Sequence, residues 1–213
     1  RPERPRPVLH QPERGRRGVA EKPQTADGCR PLRQPGRATD IIFHPGSYFG
    51  RPAADVLEIA IPRLRGCVEE LRAAGNPATL RPETMGKSAM LGSLADALAL
   101  ARAIPGVAPC IDIAHLHARP GDGSFNSYDE FAAMLTAVRD ALGADALKRL
   151  HFHISGIAYG PKGERNHLTF AEADLKYDEF LRALRDFDCA GRILCESPIM
   201  EQDALLLQAA FGG

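Results

Sequence analysis

The chain has no tryptophan and only 6% aromatic residues, so the sequence carries no sign of a surface that stacks nucleic-acid bases. It lacks an apolar run long enough to span a bilayer, and it lacks the pattern of a signal peptide, so we expect no membrane association. The five cysteines are odd in number, widely spaced and never in a Cys-x-x-Cys pair. This favours reduced thiols in a cytoplasmic protein and argues against a zinc site built from cysteine pairs.

Charge divides the chain into two parts of different composition. Residues 1–39 hold ten Lys and Arg against four Asp and Glu, with seven of the 17 prolines, whereas residues 40–213 carry a net charge of −6. The first part shows neither helical nor strand periodicity. We therefore expect residues 1–38 to form an irregular or disordered segment and residues 39–213 to form one folded domain.

From residue 40 onward, short apolar strands alternate with amphipathic helices, which is the pattern of a parallel α/β fold. The predicted strands are Asp40–His44, Thr79–Glu83, Ala108–Asp112, Arg149–His153 and Arg192–Glu196. The predicted helices cover residues 53–75, 87–103, 127–142, 175–187 and 202–210. These are about five of the eight strand–helix units of a TIM barrel, so the sequence predicts a partial (β/α) barrel.

Every predicted strand ends on a residue that can bind a metal or act as a general base. In a parallel barrel the carboxyl ends of the strands open on one face, here called the mouth, so these side chains should converge. Burying several carboxylates together without a cation would be costly. Imidazole with carboxylate suits Zn²⁺ or Mn²⁺, and several carboxylates able to bridge suggest more than one ion. The strand-end residues are His44, Glu83, Asp112, His153 and Glu196.

Six segments together resemble endonuclease IV, a family of zinc-dependent apurinic/apyrimidinic endonucleases built on a xylose isomerase-like TIM barrel. They occur in the family's order and extend over about residues 38–213. The resemblance implies cleavage of the phosphodiester 5′ to an abasic site in double-stranded DNA, in base excision repair, by a monomer. The segments are FHPGSYFG (43–50), PETMGKSAMLGSL (82–94), CIDIAHLHA (110–118), HFHISG (151–156), GERNHLTFAEADL (163–175) and CESP (195–198).

The resemblance also implies a cluster of up to three Zn²⁺ ions, with Mn²⁺ as an alternative that the ligand types allow. His44 and Glu83 would bind the first ion. Glu83 would bridge to a second ion, which Asp112, His153 and Glu196 would also hold. In such a site Glu83 and Glu196 lie nearest to the attacking water, so they are the predicted catalytic residues.

His115 and His167 would bind the third ion. Here the sequence departs from the family pattern, in which an aspartate lies two residues before the last histidine, because Arg165 occupies that position. Glu164 is one residue further away. We predict that Glu164 replaces the aspartate as a ligand if the backbone bends there.

A second departure concerns the start of the chain. A family strand ending in His-Ala-Pro-Tyr should lie about forty residues before His44, and nothing in residues 1–39 matches it. Codons can be chosen for PRPVLHQ (5–11) that encode His-Ala-Pro-Tyr-Phe-Ile-Asn when they are read one position later. We therefore hypothesise that the chain is truncated, or that residues 1 to about 37 are a frameshifted reading. Resequencing the gene across this region tests the idea.

Polar side chains in the predicted mouth loops are candidates for contacts with DNA phosphates. Two alternatives to the nuclease stay open. A sugar isomerase or epimerase on the same barrel would use one divalent metal and would not need His115 or His167. An inactive fragment is the other alternative, because an open barrel exposes strand edges. The candidate DNA contacts are Ser47, Tyr48, Arg119, Lys162 and Arg165.

Overall fold

A computed structural model describes residues 38–212, and the predictions for residues 1–37 lie outside this part of the chain. The strands are β1 (Asp40–Phe43), β2 (Thr79–Pro82), β3 (Ile111–Asp112), β4 (Leu150–Ile154), β5 (Gly156–Gly160), β6 (Gly163–Leu168) and β7 (Gly191–Cys195). The α-helices are α1 (Ala53–Ala73), α2 (Leu94–Ala103), α3 (Ile113–Ala118), α4 (Tyr128–Leu142), α5 (Tyr177–Asp186) and α6 (Glu201–Gly212), and a 3₁₀ helix spans Ala144–Lys148.

Five strands run parallel in chain order. β1 pairs with β2, and β4 lies between β3 and β7. Single parallel bridges, Leu80 with Val107 and Glu83 with Cys110, join β2 to the segment that leads into β3. A helix follows each of these strands along the chain, after the β5–β6 hairpin in the case of β4, so the described residues confirm the predicted partial barrel of strand–helix units.

The apolar core lies between the strands and the helices. Its larger cluster centres on the rings of Phe131, Phe152 and Phe180, which meet edge to face with centroid distances of 5.1 to 5.6 Å. A second cluster joins α1 and α2 to β2 around Leu80 and Leu100. Since the helices bury one face of the strands, the other face is available for polar side chains.

That polar inner face is closed at its lower end, away from the mouth, by a buried arginine. The Arg81 guanidinium pairs with Asp40 and donates to the carbonyl oxygens of Pro109 (2.9 Å) and Arg149 (3.2 Å). These bonds tie β1 and β2 to the segments that lead into β3 and β4. At a level below the candidate site, these bonds therefore fix the positions of four strands relative to one another along the strand direction.

Three features differ from the sequence-based expectation or were absent from it. The helix predicted over 87–103 begins at Leu94, because Ser93 and Asp96 form a capping box and residues 87–93 form a loop. The β5–β6 hairpin and the short helix α3 were not predicted. No helix in the described residues combines the length and the apolar character needed to cross a membrane.

The aromatic cluster leads to a stability prediction. Phe131 is fully buried, so Phe131→Ala should lower the free energy of unfolding by about 3–5 kcal/mol through lost burial and a cavity. Urea denaturation of the full chain measures the loss. Phe49→Ala is the matched control, since that ring is 86% exposed and its removal should change stability little. An equal loss in both variants would contradict the assignment of the core.

Candidate metal centre

Four of the five predicted strand ends converge in the structure. Glu83, Asp112, His153 and Glu196 each offer a ligand atom, and these atoms all lie within 4.8 Å of one another. His153 is the shared contact, since its Nδ1 lies 3.1 Å from Glu83 Oε1 and 3.2 Å from Glu196 Oε1. The parallel register explains the convergence, because Asp112 stands directly beside His153.

This group has the electrostatics of a cation site. Asp112 Oδ1 accepts a hydrogen bond from the His115 amide (2.8 Å), but Oδ2 is buried and has no hydrogen-bond partner. Burial, reinforced by the carboxylates of Glu83 and Glu196, raises the pKa of Asp112 to about 6. Burial also opposes ionisation of Glu83, yet the hydrogen bond to His153 and the nearby imidazoles hold its pKa below the ordinary value. A divalent cation would satisfy the orphaned oxygen and offset the clustered acids, so these residues fit a metal.

The fifth strand-end residue lies on the solvent side of this group. His44 Nε2 is 3.4 Å from Glu83 Oε2, and the histidine side chain is 61% exposed. Glu83 therefore has one carboxylate oxygen toward His153 and the other toward His44. That arrangement suits the predicted bridging role of Glu83, which stays a prediction.

The structure brings the residues predicted for a third ion into a second group beside the first. His115 Nε2 lies 3.1 Å from Glu164 Oε2, and the His115 and His167 ring centroids are 5.9 Å apart. His115 Nδ1 faces the Thr84 carbonyl (2.8 Å) and His167 Nδ1 faces the Glu196 carbonyl (2.9 Å). Because a carbonyl only accepts, each Nδ1 carries the proton in the neutral ring and each Nε2 keeps a lone pair for a metal.

A β-bulge explains how Glu164 reaches His115. Residues three apart on a regular strand, such as Glu164 and His167, point to opposite faces. Here the register shifts by one residue, since Ala158 pairs with Asn166 and Tyr159 with Glu164, which leaves Arg165 as the extra residue. The extra residue restores Glu164 and His167 to the same side of β6. The bulge places Glu164 beside His115, and its role as a metal ligand stays a prediction.

The predicted DNA contacts fall into two classes. The residues of the first class, Ser47, Tyr48 and Arg119, have hydrogen-bond partners within the chain. Arg119 donates to the carbonyls of Met85 (2.8 Å), Lys87 (2.8 Å) and Met90 (3.0 Å) and to the Tyr48 hydroxyl (3.2 Å). The effect is to hold the loop between β2 and α2 in place beside the metal centre.

Ser47 and Tyr48, the other residues of the first class, also donate hydrogen bonds within the chain. Tyr48 donates to Asp96, and Ser47 donates to the Ala89 carbonyl (2.9 Å). Lys162 and Arg165 form the second class and are exposed on the β5–β6 hairpin. Contact of all five residues with DNA stays a prediction, and the hairpin pair is the better placed.

Sequence reasoning missed two features of the centre. Thr84 exchanges hydrogen bonds with the backbone of Asp112, its Oγ1 accepting from the amide at 2.8 Å. Cys110, His151 and His153 form a further group whose potential ligand atoms lie within 4.8 Å of one another. The strand period of two could have found it, since Cys110 and His151 precede Asp112 and His153 by two residues.

Comparison with known proteins gives one family and several relatives. The xylose isomerase-like TIM barrel family matches residues 14–211. An uncharacterized protein of Methanocaldococcus jannaschii is 38% identical over 172 residues, which are 81% of this chain and 62% of that protein. "Probable endonuclease 4" of Staphylococcus carnosus is 29% identical over 174 residues, or 78% of this chain and 55% of that protein. The chain thus spans about half to two thirds of the length of these curated relatives.

Solved structures agree on the fold. A D-tagatose 3-epimerase-like protein matches 81% of this chain and 60% of its own with a TM-score of 0.57 and 18% identity. Endonuclease IV from Thermus thermophilus matches 82% of this chain and 62% of its own with a TM-score of 0.52 and 18% identity. At this identity the likeness concerns the fold alone.

The raised pKa of Asp112 predicts a stability difference that reverses with metal. In chelator, the folded state loses stability as pH rises from 3.8 through about 6, because Asp112 must ionise in a buried site. Asp112→Asn should therefore be more stable than the parent near neutral pH, by about 1–3 kcal/mol. With Zn²⁺ added, the parent should become the more stable of the two. Urea titrations with and without Zn²⁺ measure the difference in free energy of unfolding between the parent and Asp112→Asn. A difference of the same sign under both conditions would contradict the metal assignment.

The close approach of Gly86 to Glu164 allows a second test. A Cβ at Gly86 would overlap Glu164 Oε2, so Gly86→Ala should push this carboxylate away from His115. The expected result is metal affinity lowered by about 10–100-fold at one site, with the chain still folded. Gly66→Ala is the control, because its Cβ meets no atom within 4 Å. Calorimetric Zn²⁺ titration compares the two, and unchanged binding in Gly86→Ala would remove Glu164 from the ligand set.

Proposed function

Because the chain belongs to the xylose isomerase-like TIM barrel family, we propose that it is a metal-dependent phosphodiester hydrolase that cleaves DNA 5′ to abasic sites. One observation carries the proposal. The group of Glu83, Asp112, His153 and Glu196 lies directly beside a second group, formed by His115, His167 and Glu164. A single-metal sugar enzyme has no need for the second group, whereas a hydrolase that clamps a phosphate between cations does.

The residues present would hold up to three Zn²⁺ ions, and Mn²⁺ also suits their donor atoms. His44 with Glu83 would hold the first ion, the four-residue group the second, and His115, His167 and Glu164 the third. When bound, such ions lower the pKa of water and neutralise charge on a phosphate that undergoes attack.

Glu196 and Glu83 differ in their access to a substrate. Glu196 is 30% exposed and lies at the carboxyl end of β7, so its carboxylate can accept a proton from an attacking water. Glu83 is only 5% exposed and contacts both His44 and His153. We assign Glu196 the role of proton acceptor and Glu83 the role of holding the two neighbouring ions together.

Binding of DNA to this chain needs positive charge at the mouth, since residues 40–213 have a net charge of −6. Bound cations would offset much of the acidity that comes from the ligands themselves. Lys162 and Arg165 on the β5–β6 hairpin would contact backbone phosphates on one side of the centre. Duplex DNA with an abasic site is the proposed partner of a monomer.

A sugar isomerase or epimerase is the second candidate. It is supported by the fold likeness to a D-tagatose 3-epimerase-like protein and by the four-residue group, which suffices for one cation. The two candidates differ in metal count. The nuclease requires at least two ions per chain, and the sugar enzyme requires one.

Elemental analysis and a nicking assay on the purified full chain test the proposal. We expect two or three Zn²⁺ per chain and single-strand cleavage of an abasic duplex. Glu196→Gln should keep the metal and lower the cleavage rate by about 10²–10⁴-fold, because the proton acceptor is gone. Glu201→Gln, an exposed change on α6, is the matched control. One ion per chain without nicking would contradict the nuclease and favour the sugar enzyme.

A further inference from the structure

A second set of potential metal ligands lies on the inner face, one layer below the carboxylates. Asp112 stands beside His153 in the register of β3 and β4, which places Cys110 beside His151. Side chains two residues apart on a strand share a face, so Cys110 and His151 face inward under Asp112 and His153. Cys110 Sγ and a ring nitrogen from each of His151 and His153 lie within 4.8 Å of one another.

One ring nitrogen of each histidine in this set lacks a hydrogen-bond partner. Cys110, His151 and His153 are 0%, 3% and 4% exposed, and the Nε2 atoms of both histidines are buried with no hydrogen-bond partner in the described residues. A buried imidazole nitrogen without a partner destabilises the fold. A histidine that served only for packing would be expected to have a hydrogen-bonded ring, so the orphaned Nε2 of His151 points to a ligand at this position, and the Nε2 of His153 is free to join it.

Neighbouring charge does not prevent a cation from binding here. Arg81 and Arg192 lie on the adjacent strands β2 and β7, and Asp40 pairs with both of them. Their positive charge is thereby partly compensated within the chain. The thiol would add a negative charge on binding, because a metal displaces its proton to solvent.

We propose that Cys110, His151 and His153 form a thiolate-containing site for a borderline-soft divalent cation of the Zn²⁺ or Co²⁺ class. A thiolate with two imidazoles is a donor set that such ions prefer over Mg²⁺ or Mn²⁺. His153 is shared with the carboxylate centre of Glu83, Asp112 and Glu196. Its Nδ1 faces Glu83 and Glu196, and its Nε2 remains for the site with Cys110 and His151, here called the lower site. The site does not depend on which reaction the carboxylate centre performs. It would add one ion per chain for either candidate function, so the metal count that separates the two candidates is measured in Cys110→Ser.

A cation at this site would also affect the position of His153 in the carboxylate centre above it. A cation on Nε2 would fix the ring of His153, with the Nδ1–H donating to the carboxylates of Glu83 and Glu196. Metal-binding histidines commonly have their other nitrogen held in this way. A cation bound to Cys110, His151 and His153 would thus help to orient the carboxylates of Glu83 and Glu196.

Cobalt titration of the chelator-treated full chain tests the proposal. Co²⁺ bound to a thiolate gives an intense sulfur-to-metal charge-transfer band in the near ultraviolet, which oxygen and nitrogen ligands do not produce. We expect this band in the parent chain and its loss in Cys110→Ser, a change of similar size that keeps the fold. His151→Gln should weaken the titration by at least about tenfold.

Two controls separate this site from others. Cys189→Ser should keep the band, because that thiol lies in the helix-side core. Glu83→Gln should also keep it, so the band reports on the lower site even if the nuclease assay fails. Absence of the band at saturating Co²⁺, or its persistence in a folded Cys110→Ser chain, would overturn the proposal. Circular dichroism establishes that each variant is folded.

Discussion

The convergence of three carboxylates in a buried space is the constraint on which the rest of the site depends. Glu83, Asp112 and Glu196 come from three different strands, and parallel pairing forces their side chains to the same height. Two of these acids are almost fully removed from water, and like charges at such distances repel strongly. The neighbouring histidines offset part of this cost, and a cation would offset most of it. The buried Arg81 below them sets the strand heights on which the arrangement rests.

Much of this centre can be predicted from the sequence, for a simple physical reason. Turn residues mark where a strand ends, the strand period of two sets which way its last side chain points, and parallel strands open on one face, so the sequence alone predicts the places of His44, Glu83 and Asp112. The same logic placed the five strand–helix units. The start of α2 was less predictable, because an apolar spacing that continues through residues 87–93 hides the capping box at Ser93.

Features that depend on side-chain partners from distant segments were beyond sequence reasoning. Arg119 is a predicted phosphate contact, and its guanidinium also donates to four carbonyls of the loop between β2 and α2 and to Tyr48. Nothing local in the sequence encodes such a contact, since the partners are distant along the chain. The group of Cys110, His151 and His153 is different, because the strand period of two already places Cys110 and His151 on the same faces as Asp112 and His153. The register of β3 and β4 adds that Cys110 and His151 lie side by side.

The bulge in the β5–β6 hairpin has a consequence for how such sites change over time. With the bulge, a carboxylate three residues before His167 faces the side that a carboxylate two residues before it would face on a regular strand, so a carboxylate can shift by one residue along the chain and still face the same side. A lineage could therefore exchange one carboxylate for another through an insertion of a single residue, with no intermediate that loses the group altogether. Alignment by column would record this exchange as the loss of a ligand. Comparison by side-chain position would record it as retention.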